Sequence, residues 1–336
     1  MKRRIIRQGH NTLTIPLPSL WAKELHLEAG HEVDVIERED GLFVSAQKGE
    51  SFSKKELDIK GMDIPTIWKY MMSVYREGFD EVKVYFDPKV RYYHPFRYFI
   101  SYNIDPRYAI DAKSFTASEI LQKIAPRFIG YEVIEQDASS CIIKDMAEPS
   151  PKQFESSLRR IFFLLTQMGK EICLAVNEGD GLLLDRTHEL DSSVDKFHDF
   201  CSRVLNKTHY HDPKKAHLML TTLFLLELLG DEFKHVAYHL KRNFNEKTRS
   251  SLGTLAQATL EQLQSYHHLF YNFDREKIMA LSRQDLDMHF SLPSSQRKGI
   301  TGARYPEAAS EVAHHFRRIG RYINSLIEVR IEMECA

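Results

Sequence analysis

Apolar positions recur with two different periods along the chain, and the period changes near Pro151. Before it, short apolar runs alternate with polar residues and are cut by turn residues. Beyond it, apolar residues recur at i, i+3 and i+4. "RRIIRQGHNTLTIPL" reads as extended chain with a turn at Gly9-His10-Asn11. Pro18 and Ser19 suit a helix start, and "LWAKELHLE" follows with Leu20, Trp21, Leu25 and Leu27 as apolar contacts before Gly30. "HEVDVIERED" and "GLFVSAQ" are alternating strands joined by an Asp40-Gly41 turn.

Residues 51–150 read as strand ("ELDIKGM"), helix ("IPTIWKYMMSVYREGF"), strand ("DEVKVYFD"), helix ("ASEILQKIAPRFIG") and closing hairpin ("YEVIEQDASSCIIKDM"). That order predicts a small α/β sandwich. The aromatic stretch "PKVRYYHPFRYFISYNIDPRY" reads as loop with one strand. From Pro151 the pattern predicts helices at about 151–178, 180–207, 212–244, 248–272, 274–291 and 304–333, each with one apolar stripe. Short breaks contain Asn-Glu-Gly-Asp, Tyr-His-Asp-Pro and Ser-Leu-Pro-Ser-Ser. Such breaks join antiparallel neighbours in an all-α bundle. "ELLGDEFKHV" (227–236) aligns with "RRIGRYINSL" (317–326), keeping Gly230 and Gly320, so two three-helix repeats are expected. The expected whole is a multi-domain α+β chain: a β-rich segment 1–50, a small α/β domain 51–150 and a six-helix bundle 151–336.

With 336 residues, 43% hydrophobic and 28% charged, the composition is that of an ordinary globular protein of two or three domains. The formal net charge of −1 confines any nucleic-acid surface to a local patch. The basic N-terminus lacks the apolar core of a signal peptide, and no apolar run reaches the ~18 residues of a membrane span. A cytoplasmic location without a membrane span is expected. Cys141, Cys173, Cys201 and Cys335 form no CxxC pair, which fits reduced thiols there.

The helical half places acids on two faces. Glu227, Asp231 and His235 are spaced i, i+4, i+8, and Asp191, Asp195 and Asp199 do the same on the preceding helix. Two dry acid stripes face to face repel. A di- or trivalent cation removes that repulsion and accepts oxygen ligands well. The plainer alternative is a solvated face paired with Lys196, Lys234 or Arg203. Gly230, lacking a side chain, lets the neighbouring helix come close. The histidines look unorganised: His235 and His239 lie i, i+4 with no HExxH motif, and His267-His268 and His314-His315 are adjacent pairs pointing apart. Surface positions are expected for these.

At the other end Lys2, Arg3, Arg4 and Arg7 form a basic arm suited to phosphates. Gln8, Asn11 and Thr12 beside it can hydrogen-bond base edges or phosphates. No phosphate-binding GxxxxGK[ST] loop, GxSxG elbow or dinucleotide fingerprint occurs, so no enzyme is expected.

The Glu227-Leu-Leu-Gly230-Asp231 run, the "DSSVD" acids Asp191 and Asp195, and the repeated three-helix pattern resemble the PhoU family of phosphate-uptake regulators over roughly 151–333. The resemblance implies metal at Asp191, Asp195, Glu227 and Asp231, with Asp199, His198 and His235 as outer members; the all-carboxylate donors favour Mg²⁺, Mn²⁺ or iron. Arg317 and Arg321 stand where the second repeat's acids would be, so metal is expected in the first repeat only. "RRIIRQGHNTLTIPLP", "WAKEL", "GHEVDVIE" and "GLFVS" are similar to the AbrB/SpoVT swapped-hairpin domain, which implies an interleaved homodimer and DNA contact by Arg3, Arg4, Arg7, Gln8, Asn11 and Thr12. The pattern departs at His26 and His31, where a glycine and an aspartate are common, so a strained turn conformation is expected at His26. The domain order looks like the archaeal version of these regulators. Together these features imply a DNA-binding transcriptional regulator with a metal-sensing bundle. The alternative is an adaptor that restrains a phosphate transporter or signalling partner by direct contact, with the first domain serving only for dimerisation.

Overall fold

A computed structural model of the protein describes residues 2–9, 11–38, 41–45, 52–93, 114–147, 150–179, 181–207 and 213–335. The Asp40-Gly41 turn, most of the aromatic stretch after Pro88 and the break around Tyr210-His211 therefore lie outside the described residues. The chain divides into two compact units, Met1–Ser53 and Lys54–Ala336.

The first unit holds two hairpins and a short helix. β1 (Ile6–Gln8) pairs antiparallel with β2 (Thr12–Thr14), and β3 (Asp34–Arg38) with β4 (Gly41–Ser45). Between them runs α1 (Ser19–Glu24). His26 has φ 51°, the one described non-glycine residue in the left-handed region, where the sequence anticipated a strained turn. No residue of this unit whose exposure is described is buried. Ile5 (62%), Leu13 (65%) and Leu20 (71%) are largely exposed, and Val35 and Leu42 are exposed as well. Fifty residues with two separate hairpins cannot cover their own apolar positions.

The second unit has two hydrophobic cores. In the first, β5 (Lys54–Asp58) lies parallel to β6 (Glu81–Tyr85). The connection runs through α2 (Ile64–Arg76), capped by Asp63, whose carboxylate accepts from the Thr66 amide at 2.9 Å. β7 (Tyr131–Gln136) and β8 (Ser140–Asp145) form the closing hairpin, and the sheet order is β5-β6-β8-β7. α3 (Ala117–Ile124) starts from a Thr116–Glu119 capping box. Ile67, Met71, Val82, Val84, Ile120 and Ile143 fill this core.

The second core is helical. α4 (Pro151–Glu178) begins at a Ser150–Gln153 capping box and stops at Gly179, whose φ of 73° is a left-handed cap. α5 (Gly181–Lys207), α6 (Pro213–Leu240), α7 (Glu246–Tyr271), α8 (Arg275–Leu286), α9 (Leu292–Thr301) and α10 (Pro306–Cys335) follow. α4 packs on α5 and α7, and α6 packs on α5 and α10. The Ser-Leu-Pro-Ser-Ser stretch, expected as a break, is instead helical: one π turn (Asp287–Ser291) leads straight into α9. Pro293 lies two residues into α9, directly after the π turn, so its missing N–H falls where the regular helical ladder is already interrupted.

The two cores are joined through α5. Arg203 is fully buried (0%) on α5. It donates to the Asp145 carboxylate (Nη2, 2.6 Å), the Tyr75 carbonyl (Nη1, 2.7 Å) and the Phe79 carbonyl (Nη2, 2.9 Å). Its guanidinium lies 4.9 Å from the Tyr75 ring centre and 5.1 Å from that of Tyr131. Lys207 pairs with Asp80 nearby.

Candidate functional site: a dry carboxylate patch between two helices

The close approach of α5 and α6 begins with Gly230. A Cβ there would stand 3.2 Å from Asp191 Oδ1 and 3.4 Å from Val194 Cγ1. Asp191 and Val194 are buried at that contact (4% and 0% exposed). Asp195, Glu227 and Asp231 are half-buried around it. The predicted acids are thus brought to one helix–helix seam, which is not a solvated face.

Lys234 enters the seam. Its Nζ donates to Asp191 Oδ2 at 2.7 Å and also binds Asp231 Oδ1. One ammonium cannot serve four carboxylates, and the proton affinities show it. Burial raises Lys234's partner Asp191, with Asp231 adding to the rise and Lys234 opposing it. Burial lowers Lys234, yet Asp191 and Asp231 outweigh that and hold it above the usual lysine range. Burial thus drives the rise at Asp191, and the two carboxylates drive the rise at Lys234. Burial, then Asp191, raises Asp195 well above the carboxylate range. Burial, followed by Asp231 and Asp191, brings Glu227 up to about 7. Asp191 Oδ1 is buried with no hydrogen-bond partner.

The α/β layer adds further charge that the sequence pattern does not reveal. Arg76 from α2 donates to Asp199 Oδ1 at 2.6 Å and sits 3.3 Å from His198 Nδ1. These two expected outer ligands are therefore held by a guanidinium. Arg76 also lowers Glu227, and Arg127 lowers Asp191. Lys196 reaches the Pro126 carbonyl at 3.2 Å and Arg203 belongs to Asp145, so of the three cations proposed for pairing only Lys234 is bonded to these acids. No sequence signal linked residues 76 or 127 to the patch, since their proximity follows from the docking of a separate layer.

An all-oxygen donor set fits a hard cation. Among the described residues, however, no three of these carboxylates have ligand atoms all within 4.8 Å of one another. Lys234 already supplies a positive charge between two of them. On α10, Arg317 Nε is buried without a hydrogen-bond partner where the second repeat would need an acid.

Close-set ligand atoms occur elsewhere. Glu232, His235 and His315 form one such group, and His239, Glu311 and His315 another. The histidines expected at the surface are therefore assembled in part: His315 is buried, and His235 and His239 are half-buried. Burial, then His315, lowers both His235 and His239. Of this cluster, only the i, i+4 spacing of His235 and His239 was visible in the sequence.

In the first unit the register Ile6↔Thr14, Arg7↔Leu13, Gln8↔Thr12 divides the arm. Directly opposed residues share a face of the ribbon, so Gln8 and Thr12 lie on one side and Arg7 on the other. Arg3, Arg4 and Asn11 are exposed outside the strands.

Among solved structures, PhoU from Pseudomonas aeruginosa is similar to this chain, with TM-score 0.49 and 13% identity over 54% of this chain and 94% of that one. No family model and no curated protein matches the chain. No helix among the described residues is long and apolar enough to cross a membrane.

Proposed function

We propose that the protein is a regulator of phosphate uptake. In this reading the first unit dimerises and contacts DNA, and the second senses through the carboxylate patch. The observation that carries it is the seam at Gly230, where Asp191, Asp195, Glu227 and Asp231 gather with more negative charge than Lys234 neutralises. These residues carry the acid and glycine motif by which the sequence resembles phosphate-uptake regulators. The orphaned Asp191 Oδ1 and the raised Asp195 and Glu227 give a hard cation (Mg²⁺, Mn²⁺ or iron) a reason to bind. Such an ion would supply charge neutralisation. The carboxylates would bind it, and Lys234 would have to leave its bridge. Exposed Ile5, Leu13, Leu20, Val35 and Leu42 support a second copy covering the first unit. The exposed Arg3, Arg4 and Arg7 support a phosphate-contacting arm.

The test combines mobility shift and light scattering. DNA carrying the promoter of a phosphate-uptake operon from the source genome should bind, with affinity falling steeply with salt. Replacing Arg3, Arg4 and Arg7 by alanine should flatten the log–log salt slope by about one unit for each phosphate no longer neutralised. A chain beginning at Lys54 should have a lower oligomeric state. DNA binding with an unchanged slope would place the nucleic-acid surface elsewhere. No DNA binding by an intact dimer would favour an adaptor that acts on a protein partner.

A further inference from the structure

We propose a transition-metal site, distinct from the carboxylate patch, between α6 and α10, with His235, His239, His315 and Glu311 as ligands for a cation of the Zn²⁺ type. The two helices run antiparallel here, since Glu232 meets Arg318 while His239 groups with Glu311. His235 and His239 are one turn apart on α6, and Glu311 and His315 one turn apart on α10. Each pair therefore presents both side chains on one helix face. The ligand atoms of His239, Glu311 and His315 lie within 4.8 Å of one another, as do those of Glu232, His235 and His315. Ligands about 2.0–2.2 Å from a tetrahedral ion stand roughly 3.4 Å apart. The two triples meet at His315, so one shared ion requires half-buried His239 and exposed Glu311 to turn toward His235, a movement open to side chains that are not locked in the core.

The hydrogen bonds decide which carboxylate ligates. Glu232 Oε1 accepts from Arg318 Nη2 at 2.9 Å, and Oε2 is 2.6 Å from His315 Nδ1. Glu232 is thus engaged at both oxygens and buried (3% exposed). Its role is to receive the Nδ1 proton of His315 and hold the ring, which leaves Nε2 with its lone pair free. Metal-bound histidines are commonly oriented by a carboxylate in this way. Glu311 faces solvent and completes the set from the open side.

His235 supplies an independent observation. Its Nδ1 is buried and has no hydrogen-bond partner. A buried polar atom left alone is uncommon and calls for a ligand. The rings of His235 and His239 also stack on His315, at 5.1 Å and 5.6 Å between centres. Imidazoles that served only as packing would bind no cation in fixed stoichiometry.

The donor set selects the metal. Imidazoles with one carboxylate suit Zn²⁺, and Co²⁺ as its spectroscopic stand-in, over the Mg²⁺ or Mn²⁺ that carboxylates alone prefer. Four protein ligands make a closed, structural site. Its effect would be to clamp α6 to α10, the helices that carry the paired glycines Gly230 and Gly320.

The test titrates untagged, chelator-stripped full-length protein with Co²⁺ and then Zn²⁺. A single Co²⁺ per chain should give the visible absorption of a four-coordinate ion, and Zn²⁺ should displace it and raise the melting temperature. His239→Ala and Glu311→Gln, both at accessible positions, should abolish the absorption. Glu232→Gln should weaken binding by about ten- to a hundredfold. Asp195→Asn, in the carboxylate patch, should leave the absorption unchanged, so failure of either metal site is seen separately. Absence of the Co²⁺ bands, or bands that persist in both His239→Ala and Glu311→Gln, would overturn the proposal.

Discussion

Single residues here are governed by charge in places with little water. Lys234 stands between Asp191 and Asp231, and its removal leaves Asp191 buried and unpaired. Lys234→Met should therefore cost about 3 kcal/mol in metal-free buffer. Mn²⁺ should then recover more stability in the variant than in the parent protein, because the lysine no longer competes with it. A thermal-shift series with and without Mn²⁺ checks both halves. His188 makes the second case. It is 1% exposed and both ring nitrogens lack hydrogen-bond partners. Burial, then Lys241 and Lys234, takes it down to about 4 from the usual 6.5. Between those values the unfolded chain binds more protons, so His188's contribution is intact above about pH 6.5 and lost as pH falls toward 4. The loss is at most about 3 kcal/mol. Glu227 works in the opposite sense, because its folded value is raised to about 7: its contribution is present below its unfolded value and disappears as pH rises through 7. Comparing His188→Leu with the parent protein isolates the histidine. In urea unfolding the variant's advantage should grow from pH 6.5 to pH 4 and stay level above it; a constant difference across that range would show that His188 does not titrate this way.

At the scale of elements, the seam between α5 and α6 rests on one missing side chain. Alanine at Gly230 gains about 1 kcal/mol of helix propensity. Its Cβ would also press on Asp191 at 3.2 Å and Val194 at 3.4 Å. Neither neighbour can easily move, since Lys234 holds the first and the core holds the second. Overpacking of this kind costs about 1–3 kcal/mol. A net destabilisation of about 1 kcal/mol is expected for Gly230→Ala, observed as a lower urea midpoint with the same slope. A gain in stability would mean that the seam opens without cost. The seam was legible in the sequence because glycine and acids at i, i+3 and i+4 mark one helix face. The π turn and α9 were not legible: Ser-Leu-Pro-Ser-Ser looks like a break because a proline inside a helix removes a ladder bond, whereas here Pro293 follows a π turn and the helical run continues.

Across the whole of the second unit, Arg203 makes the most deeply buried of several bonds between layers. It reaches Asp145 on β8 and the carbonyls of Tyr75 and Phe79 from a position on α5 with no exposure. Arg203→Met keeps much of the volume and leaves the Asp145 carboxylate buried with the Ala147 amide at 3.0 Å and the Lys207 ammonium 3.9 Å away. The variant should be about 3–5 kcal/mol less stable. Hydrogen exchange should rise in the α/β layer and the bundle together. Exchange confined to one of them would mean that the two cores are held by other interactions.

Local patterning by itself determines much of the architecture. Alternation marks β5 to β8, the i, i+3, i+4 stripes mark α4 to α8 and α10, and His26 at φ 51° sits where a strained turn was expected. Each of these depends on neighbours a few residues away, which is the range over which sequence speaks directly. What only the tertiary structure decided involves long separations. Arg76 meets Asp199, Arg203 meets Asp145, and His315 meets Glu232 and His235. These pairs are 58 to 123 residues apart where their hydrogen bonds are measured. The histidines expected at the surface become a stacked cluster in part, and the two acid stripes become a dry patch, because helix docking removes the water that would otherwise have screened them.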